Sequence, residues 1–202
     1  MKMLSRAMLA ASLAVASVSA FAADGGNYFV NLGVGQSKYH VDQADDVKTD
    51  SHDTAVAARF GYLWHGAVDF GVETGYVDLG KLVDNYKNGS ASGHDEVHAR
   101  GVLLGGNLTY RFSTPFYVQA RGGWLYSYLD AKSRYSSPNY NSSDSFHGTG
   151  NGWYAGVGAG YDFSRNFGVG LHYDNYHVRA GLGGYSEHGN VSAVTVQLEY
   201  RF

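Results

Sequence analysis

The chain has 202 residues, 44% of them hydrophobic, and no cysteine, so it is of single-domain length and has neither disulfides nor thiolate metal sites. Its 15 Lys and Arg are outnumbered by 18 Asp and Glu, and no basic cluster stands out. Phosphate contacts need clustered Lys and Arg, so nucleic acid is excluded as a partner class.

The N-terminus reads as an export signal. Lys2 and Arg6 form a positive n-region, an apolar stretch over 8–18 is broken only by Ser12 and Ser17, and Ala20-Phe21-Ala22 is a small-x-small cleavage site. The apolar run is shorter than the ~20 residues a spanning helix needs. The expectation is a cleaved signal peptide over 1–22 and one domain over 23–202, with 13 basic against 18 acidic residues and a net charge of −5 once Lys2 and Arg6 are removed.

Beyond the signal, side chains alternate with the period of two that a strand imposes. The first candidate strand, over 27–39, sets Tyr28, Val30, Leu32 and Val34 against Asn31, Gly33 and Gly35. The second, 54–64, sets Val56, Ala58, Phe60, Tyr62 and Trp64 against Ala57, Arg59 and Gly61, and the third, 68–79, sets Val68, Phe70, Val72 and Tyr76 against Asp69, Gly71, Glu73 and Gly75. A fourth, 97–112, opposes Val102, Leu104, Leu108, Tyr110 and Phe112 to Gly101, Gly105, Asn107, Thr109 and Arg111. In the fifth, 116–129, Phe116, Val118, Ala120, Trp124, Tyr126 and Tyr128 oppose Gln119, Arg121, Gly123 and Ser127. The sixth, 153–163, switches parity: Trp153, Ala155, Val157, Ala159, Tyr161 and Phe163 oppose Gly156, Gly158, Gly160 and Asp162. The seventh, 167–178, sets Phe167, Val169, Leu171 and Tyr173 against Gly168, Gly170, His172 and Asp174. The eighth, 191–202, closes the chain with Val194, Val196, Leu198, Tyr200 and Phe202 opposite Thr195, Gln197, Glu199 and Arg201.

Connections alternate between short turns (65–67, 113–115, 164–166) and long polar stretches over 40–53, 80–96, 130–151 and 179–190, read as loops. One tight end and one loopy end is the asymmetry of outer-membrane barrels, with short periplasmic turns and longer extracellular loops. In-strand glycines fall on the polar face, apart from Gly106 and Gly122. An eight-stranded barrel has an interior just wide enough to be filled by side chains, so small residues belong inside and bulky apolar ones against lipid. Aromatics support this: Tyr28, Tyr62, Phe70, Tyr110, Phe116, Tyr161, Phe167 and Tyr200 form one girdle at the short-turn end, and Tyr76, Tyr126, Tyr128, Trp153 and Tyr173 a second. The fold expected is all-β, an eight-stranded antiparallel up-and-down transmembrane β-barrel.

In this pattern, and locally in GWYAGVGAGYDF and the ending VTVQLEYRF, the chain resembles the OmpA-type transmembrane domain and its OmpX-like relatives from position 27 to the end. The resemblance implies residence in the cell outer membrane, contact with its lipid and lipopolysaccharide, and a surface role in membrane integrity, adhesion or defence. It implies that the barrel-assembly machinery reads the terminal aromatic, here Phe202 with Tyr200, Leu198 and Val196. The peptidoglycan-binding domain of full-length OmpA proteins does not follow strand eight, so cell-wall anchoring is not expected to carry over.

Inward parity gathers Arg59, Asp69, Glu73, Arg111, Arg121, Asp162, His172, Asp174, Glu199 and Arg201 in the lumen. Charges removed from water are tolerated when paired, so these predict a network that plugs the barrel, with a small ion or solute pore as the alternative. Lipid A deacylases are also eight-stranded barrels and use a late-strand His-x-Ser; here His172-Tyr173-Asp174 has an aspartate where the nucleophile should stand, so no catalytic residue, and no enzyme, is expected. His40, His52, His94, His98, His147, His177 and His188 lie in or beside the polar stretches without recognised ligand spacing, and Asp42, Asp45, Asp46, Asp50 and Asp53 fit no calcium-loop template. The expectation is therefore no cofactor and no bound metal. A host or surface ligand is expected on the loops, of which the third (SRYSSPNYNSSDS) is rich in Ser, Asn and Tyr.

Overall fold

The computed structural model describes residues 25–40, 48–50, 52–88, 91–137, 140–182 and 185–202; the expected signal with its cleavage residues Ala20 and Ala22, and Asp42, Asp45 and Asp46, lie outside them. The strands are β1 (Gly26–His40), a three-residue β2 (Lys48–Asp50), β3 (His52–Trp64), β4 (Asp69–Asn88), β5 (Ala91–Arg111), β6 (Phe116–Ser137), β7 (Tyr140–Asp162), β8 (Phe167–Leu182) and β9 (Tyr185–Arg201). All pairings are antiparallel, and β1 pairs with β9 as β4 does with β5, so eight long strands close into a barrel with β2 appended to β4.

The stagger of that closure follows from the register. Stepping from Tyr28 through Tyr62, Val72, Gly106, Gly122, Ala155, Asn175 and Ser192 returns to β1 at Lys38, ten residues further on. Such a shear tilts the strands steeply against the barrel axis and sets the interior width.

Alternation settles which face meets lipid. Leu32, Val34, Phe70, Leu104, Leu108, Phe116, Val157, Leu171, Val196 and Leu198 stand out from the wall, while their neighbours Gly33, Gly71, Leu103, Asn107, Tyr117, His172 and Gln197 are buried inside it. Outward rings make the expected girdle at the short-turn end, with Tyr62 against Trp64 at 4.8 Å, Phe116 against Tyr161 at 5.2 Å and Tyr200 against Phe202 at 4.8 Å between centroids. Trp124, Tyr126 and Tyr128 contact one another in sequence at the other, tilted and then edge to face.

The polar stretches are where the structure departs from expectation. Positions 80–96, 130–151 and 179–190 are mostly not loops: the ladders of β4–β5, β6–β7 and β8–β9 run on to within two residues of each hairpin tip. Alternating hydrophobicity reports a face buried in lipid, and above the lipid band both faces meet water. The alternation ends there while backbone pairing continues. At the point where β4 leaves the band, the register shifts between Asp78 and Lys81, with Gly80 at φ 72. Asp78 Oδ1 accepts the Gly80 N–H at 2.9 Å, Asp53 Oδ2 the Lys81 N–H at 2.6 Å, and the Tyr39 hydroxyl donates to Gly80 O at 2.7 Å, which fixes this bulge.

The wall is uneven. β4 to β7 have 20 to 23 residues each, against 13 to 17 in β1, β3, β8 and β9. β7 pairs with β8 only from Trp153 to Asp162; residues 140–152 pair with β6 alone, leaving that edge of the projecting sheet without a ladder partner among the described strands.

Candidate functional site

The lumen is filled in three layers. At the periplasmic rim Arg111 is ion-paired with Asp69 and lies 3.0 Å by Nε from Asp162, whose other oxygen takes Arg201 Nη2 at 2.5 Å; Arg201 Nε stands 3.7 Å from Glu199. Glycine makes the room for these long side chains: a methyl group at Gly168 would overlap Asp162. The rim opens below into a polar vestibule of about 740 Å³ lined by Asn27, His65, Arg111, Asp162, Arg165 and Arg201, among others.

Above it lies the middle layer, closed to solvent. Arg121 from β6 holds Asp174 of β8 at two points, Nε to Oδ1 at 2.7 Å and Nη2 to Oδ2, and donates by Nη1 to Gln197 Oε1 at 2.9 Å. Arg59 from β3 stands 3.7 Å from Glu73 Oε1 and 3.8 Å from Asp174 Oδ2, and donates to the Tyr176 hydroxyl at 2.9 Å. Glu73 accepts from Tyr154 at 2.8 Å and from Asn107 at 2.8 Å. Two arginines thus face two carboxylates and the charges balance, which helps a buried set of ions to be tolerated, although Arg59 Nε and Nη1 have no hydrogen-bond partner. Inward glycines again abut the polar groups: a Cβ at Gly156 would strike Asp174, at Gly158 His172, and at Gly105 the Tyr154 hydroxyl.

The third layer is apolar and was not anticipated. Tyr39, Val77, Leu79, Leu82, Leu103, Leu125, Tyr154, Tyr176, Val178 and Val191 form one buried cluster across the extracellular half of the lumen, with Ala55, Ala57, Ala99 and Ala193 between them. The signal was present in the parity: Leu103, Leu125, Tyr154 and Tyr176 alternate with outward residues as strictly as the charges do. They share that inward face with the charges and glycines, as do Asn107 and Gln197, and the pairing of Asn107, Gln197, Tyr154 and Tyr176 with the charges depends on strand register. Ser127 ties the top of the layer: its hydroxyl stands 2.7 Å from Arg179 O and 3.0 Å from Gly150 O, with one hydrogen to share between them, where β7 and β8 part.

All ten inward charged or histidine residues read from the sequence face this interior, in two separate groups rather than one. Arg59, Glu73, Arg121, Asp174 and His172 occupy the middle layer, and Asp69, Arg111, Asp162, Glu199 and Arg201 the rim. His172 is buried beside Gly158, and Asp174 is held by Arg121, so the residues at the deacylase-like positions are turned away from lipid.

At the base of the seam, Phe202 N–H donates to Tyr28 O at 3.0 Å, Asn27 Nδ2 donates to Phe202 O at 2.5 Å, and Asn27 Oδ1 faces His65 Nε2 at 2.8 Å. Partial burial, and then the positive fields of Arg111 and Arg201, hold the His65 imidazole below its ordinary pKa. Val196, Leu198 and Tyr200 continue up the outward face of β9, paired with Val34, Leu32 and Val30.

Outside the barrel, above the upper aromatics, side chains of the projecting sheet pair across strands. Arg100 lies 2.7 Å from Asp130, His98 2.8 Å from Asp78, His147 3.4 Å from Asp130 and Lys81 2.8 Å from Glu96. Lys81 draws the Glu96 carboxyl below its ordinary pKa and is itself raised by it. No three His, Asp or Glu side chains converge on a common point among the described residues.

A family model described as outer membrane protein beta-barrel domain matches residues 8–202. No curated protein sequence matches. Among solved structures, Ail, the attachment invasion locus protein of Yersinia pestis, determined in complex with the heparin analogue sucrose octasulfate, is similar at TM-score 0.52 and 18% identity, covering 88% of this chain and 99% of that one. OprG of Pseudomonas aeruginosa is similar at TM-score 0.50 and 13% identity, covering 88% of this chain and 96% of that one.

Proposed function

This chain belongs to the outer membrane protein beta-barrel domain family and resides in the cell outer membrane, and on that premise we propose a structural and surface-interaction role carried by its extracellular hairpins. The observation that carries the reading is the filled lumen: ion pairs across the middle and an apolar layer above them argue against a continuous water path. Accessible from outside is the projecting sheet of β4 to β7, with the edge at 140–152 of β7 that has no ladder partner among the described strands. An exposed sheet edge is a template for an added strand, and its Ser, Asn and Tyr side chains suit adaptable polar contacts. Export by a leader ending at Ala22, and insertion through Phe202, Tyr200, Leu198 and Val196 by the assembly machinery, belong to the same reading.

Lipid and lipopolysaccharide surround the outward face in this proposal, and a host or surface ligand meets the hairpins. Sucrose octasulfate, held by Ail, is a first compound to try on them. The small pore is the second reading, favoured by the rim vestibule alone. Planar-bilayer recordings of the purified barrel separate the two: the plug predicts a quiet membrane, and a steady large conductance overturns it. Lipid A modification has no nucleophile in this reading, and an unchanged acyl pattern by mass spectrometry is expected.

A further inference from the structure

β8 does not follow β7 to its tip. Its pairing with β7 stops at Trp153 opposite His177, and Arg179 O then lies 2.7 Å from the Ser127 hydroxyl on the inner face of β6. Glycine permits the crossing, since a Cβ at Gly152 would strike His177 O. Residues 142–149 of β7 are left as an edge without a ladder partner among the described strands, and a regular one: the register with β6 runs unbroken from Phe116 opposite Tyr161 to Ser137 opposite Tyr140. Lysine, proline and bulges are the usual guards of such an edge, and 142–152 has none of them.

The two faces of the sheet beside this edge differ in charge. Register puts Lys81, Arg100, Lys132 and Arg134 on the outward face. On the inner face, which continues the wall of the lumen, Val97, Ala131 and Phe146 stand opposite one another across β5, β6 and β7, with Asp95, Ser133 and Asp144 in the next row up. Phe146 is 55% exposed and Tyr135, opposite Ser142 on the same face, 38%; the other exposed large hydrophobic side chains among the described residues face lipid or lie at the short-turn end. Asp144 has no ion pair among the described residues, its contact being the Ser142 hydroxyl at 3.2 Å, and Asp95 Oδ1 is buried without a hydrogen-bond partner.

We propose that this edge takes an extended segment of a partner protein, antiparallel to β7, with the motif apolar-x-basic: an apolar residue opposite Phe146 and a Lys or Arg two positions later opposite Asp144. This rests on the reading of the edge as a template for an added strand, and adds what that strand must carry. Cross-strand neighbours on one face have Cβ atoms about 4.5–5.5 Å apart, so the apolar side chain covers Phe146 and the basic one reaches the Asp144 carboxylate. Antiparallel pairing is the more stable per residue, and it fixes the order of the motif, because successive partner residues meet falling numbers of β7. The alternate positions meet Ser143, Ser145 and His147 on the outward face, which suit small polar side chains. A second copy is the poorer occupant: in one membrane two such edges run in the same direction, which excludes antiparallel pairing between them, and both carry Asp144.

The test uses the tag-free chain folded in lipid nanodiscs and two synthetic peptides, Thr-Val-Thr-Lys-Thr-Val-Thr-Lys and the same with Glu for Lys, followed by fluorescence anisotropy and amide exchange. The Lys peptide is expected to bind about fivefold more tightly than the Glu peptide and to slow exchange at 142–149. Asp144→Lys is expected to reverse the preference, and Phe146→Ser to weaken both peptides about tenfold. Lys132→Ser, on the outward face, is expected to bind both as the parent does. Retained heat-dependent gel mobility shows that each variant is folded. Equal binding of the two peptides with slowed exchange at 142–149 keeps the edge as a template and overturns the motif. No slowing there with either peptide at millimolar concentration overturns both, and slowing without peptide when two chains share a disc assigns the edge to a second copy and overturns the partner.

Discussion

Arg121 on β6 and Asp174 on β8 close a two-point ion pair across the centre of the barrel, with 1% and 0% of their side chains exposed. Both ions have given up their hydration for each other, so losing one is worse than losing both. Arg121→Ala or Asp174→Ala is expected to destabilise the barrel by about 3–5 kcal/mol, read as urea unfolding from lipid vesicles. The double variant Arg121→Met/Asp174→Leu is expected to recover most of that, because Arg59 and Glu73 remain as a neutral pair.

Inward glycines are predicted to be intolerant for want of space. Gly156→Ala and Gly158→Ala would press a methyl group on Asp174 and His172, at a cost of about 1–3 kcal/mol in the same assay. Gly189→Ala, where nothing lies within 4 Å, is expected to stay within about 0.5 kcal/mol of the parent.

The Lys81–Glu96 pair gives the projecting sheet an acid limit. Glu96 titrates below its ordinary value of 4.5 in the folded chain, so the unfolded state binds the proton first. The contribution is therefore complete above that value and is lost as pH falls through the depressed pKa. Amide exchange at residues 94–98 is expected to be steady from neutral pH down to that window and faster below it, beyond the intrinsic pH effect. Glu96→Gln should remove the extra dependence.

Asn27 and Phe202 are predicted to separate stability from assembly. Asn27→Ala removes hydrogen bonds to Phe202 O and His65 and is expected to cost about 1–2 kcal/mol with normal outer-membrane yield. Phe202→Ala leaves the inner layers intact and is expected to lower the yield of heat-shifting barrel in the outer membrane severalfold. Equal yields in parent and variant would remove the assembly role from Phe202.

What was legible in the chain was whatever a lipid boundary writes into it. Val30 to Val34, Phe116 to Tyr128 and Val194 to Phe202 alternate because one face meets hydrocarbon and the other does not, and those strands and their parity follow directly. Above the boundary that code lapses, and the strands through Lys132 or Ser145 went unread. A different signal was available in the sequence, since Gly89-Ser90, Pro138-Asn139 and Gly183-Gly184, all of turn-favouring residue types, fall midway along three of the polar stretches. The lumen charges were readable as a set because they share inward parity. Their division into two groups was not, since it depends on the ten-residue stagger, which lifts Asp174 beside Arg121 and leaves Asp162 level with Arg201. Likewise His98 and His147 are far apart in sequence and become neighbours-but-one only through β6.

The unequal strand lengths give the molecule a front and a back. Over β4 to β7 the wall rises as a standing screen, with β2 beside residues 83–85 of β4, while over β8 and β9 it ends lower. Because the open edge of β7 borders the low side, crowding by a neighbouring barrel would block or free it according to which flank that neighbour takes. The in-plane heading of the protein in the membrane, and not only its abundance, thus decides how much of its outer surface is available.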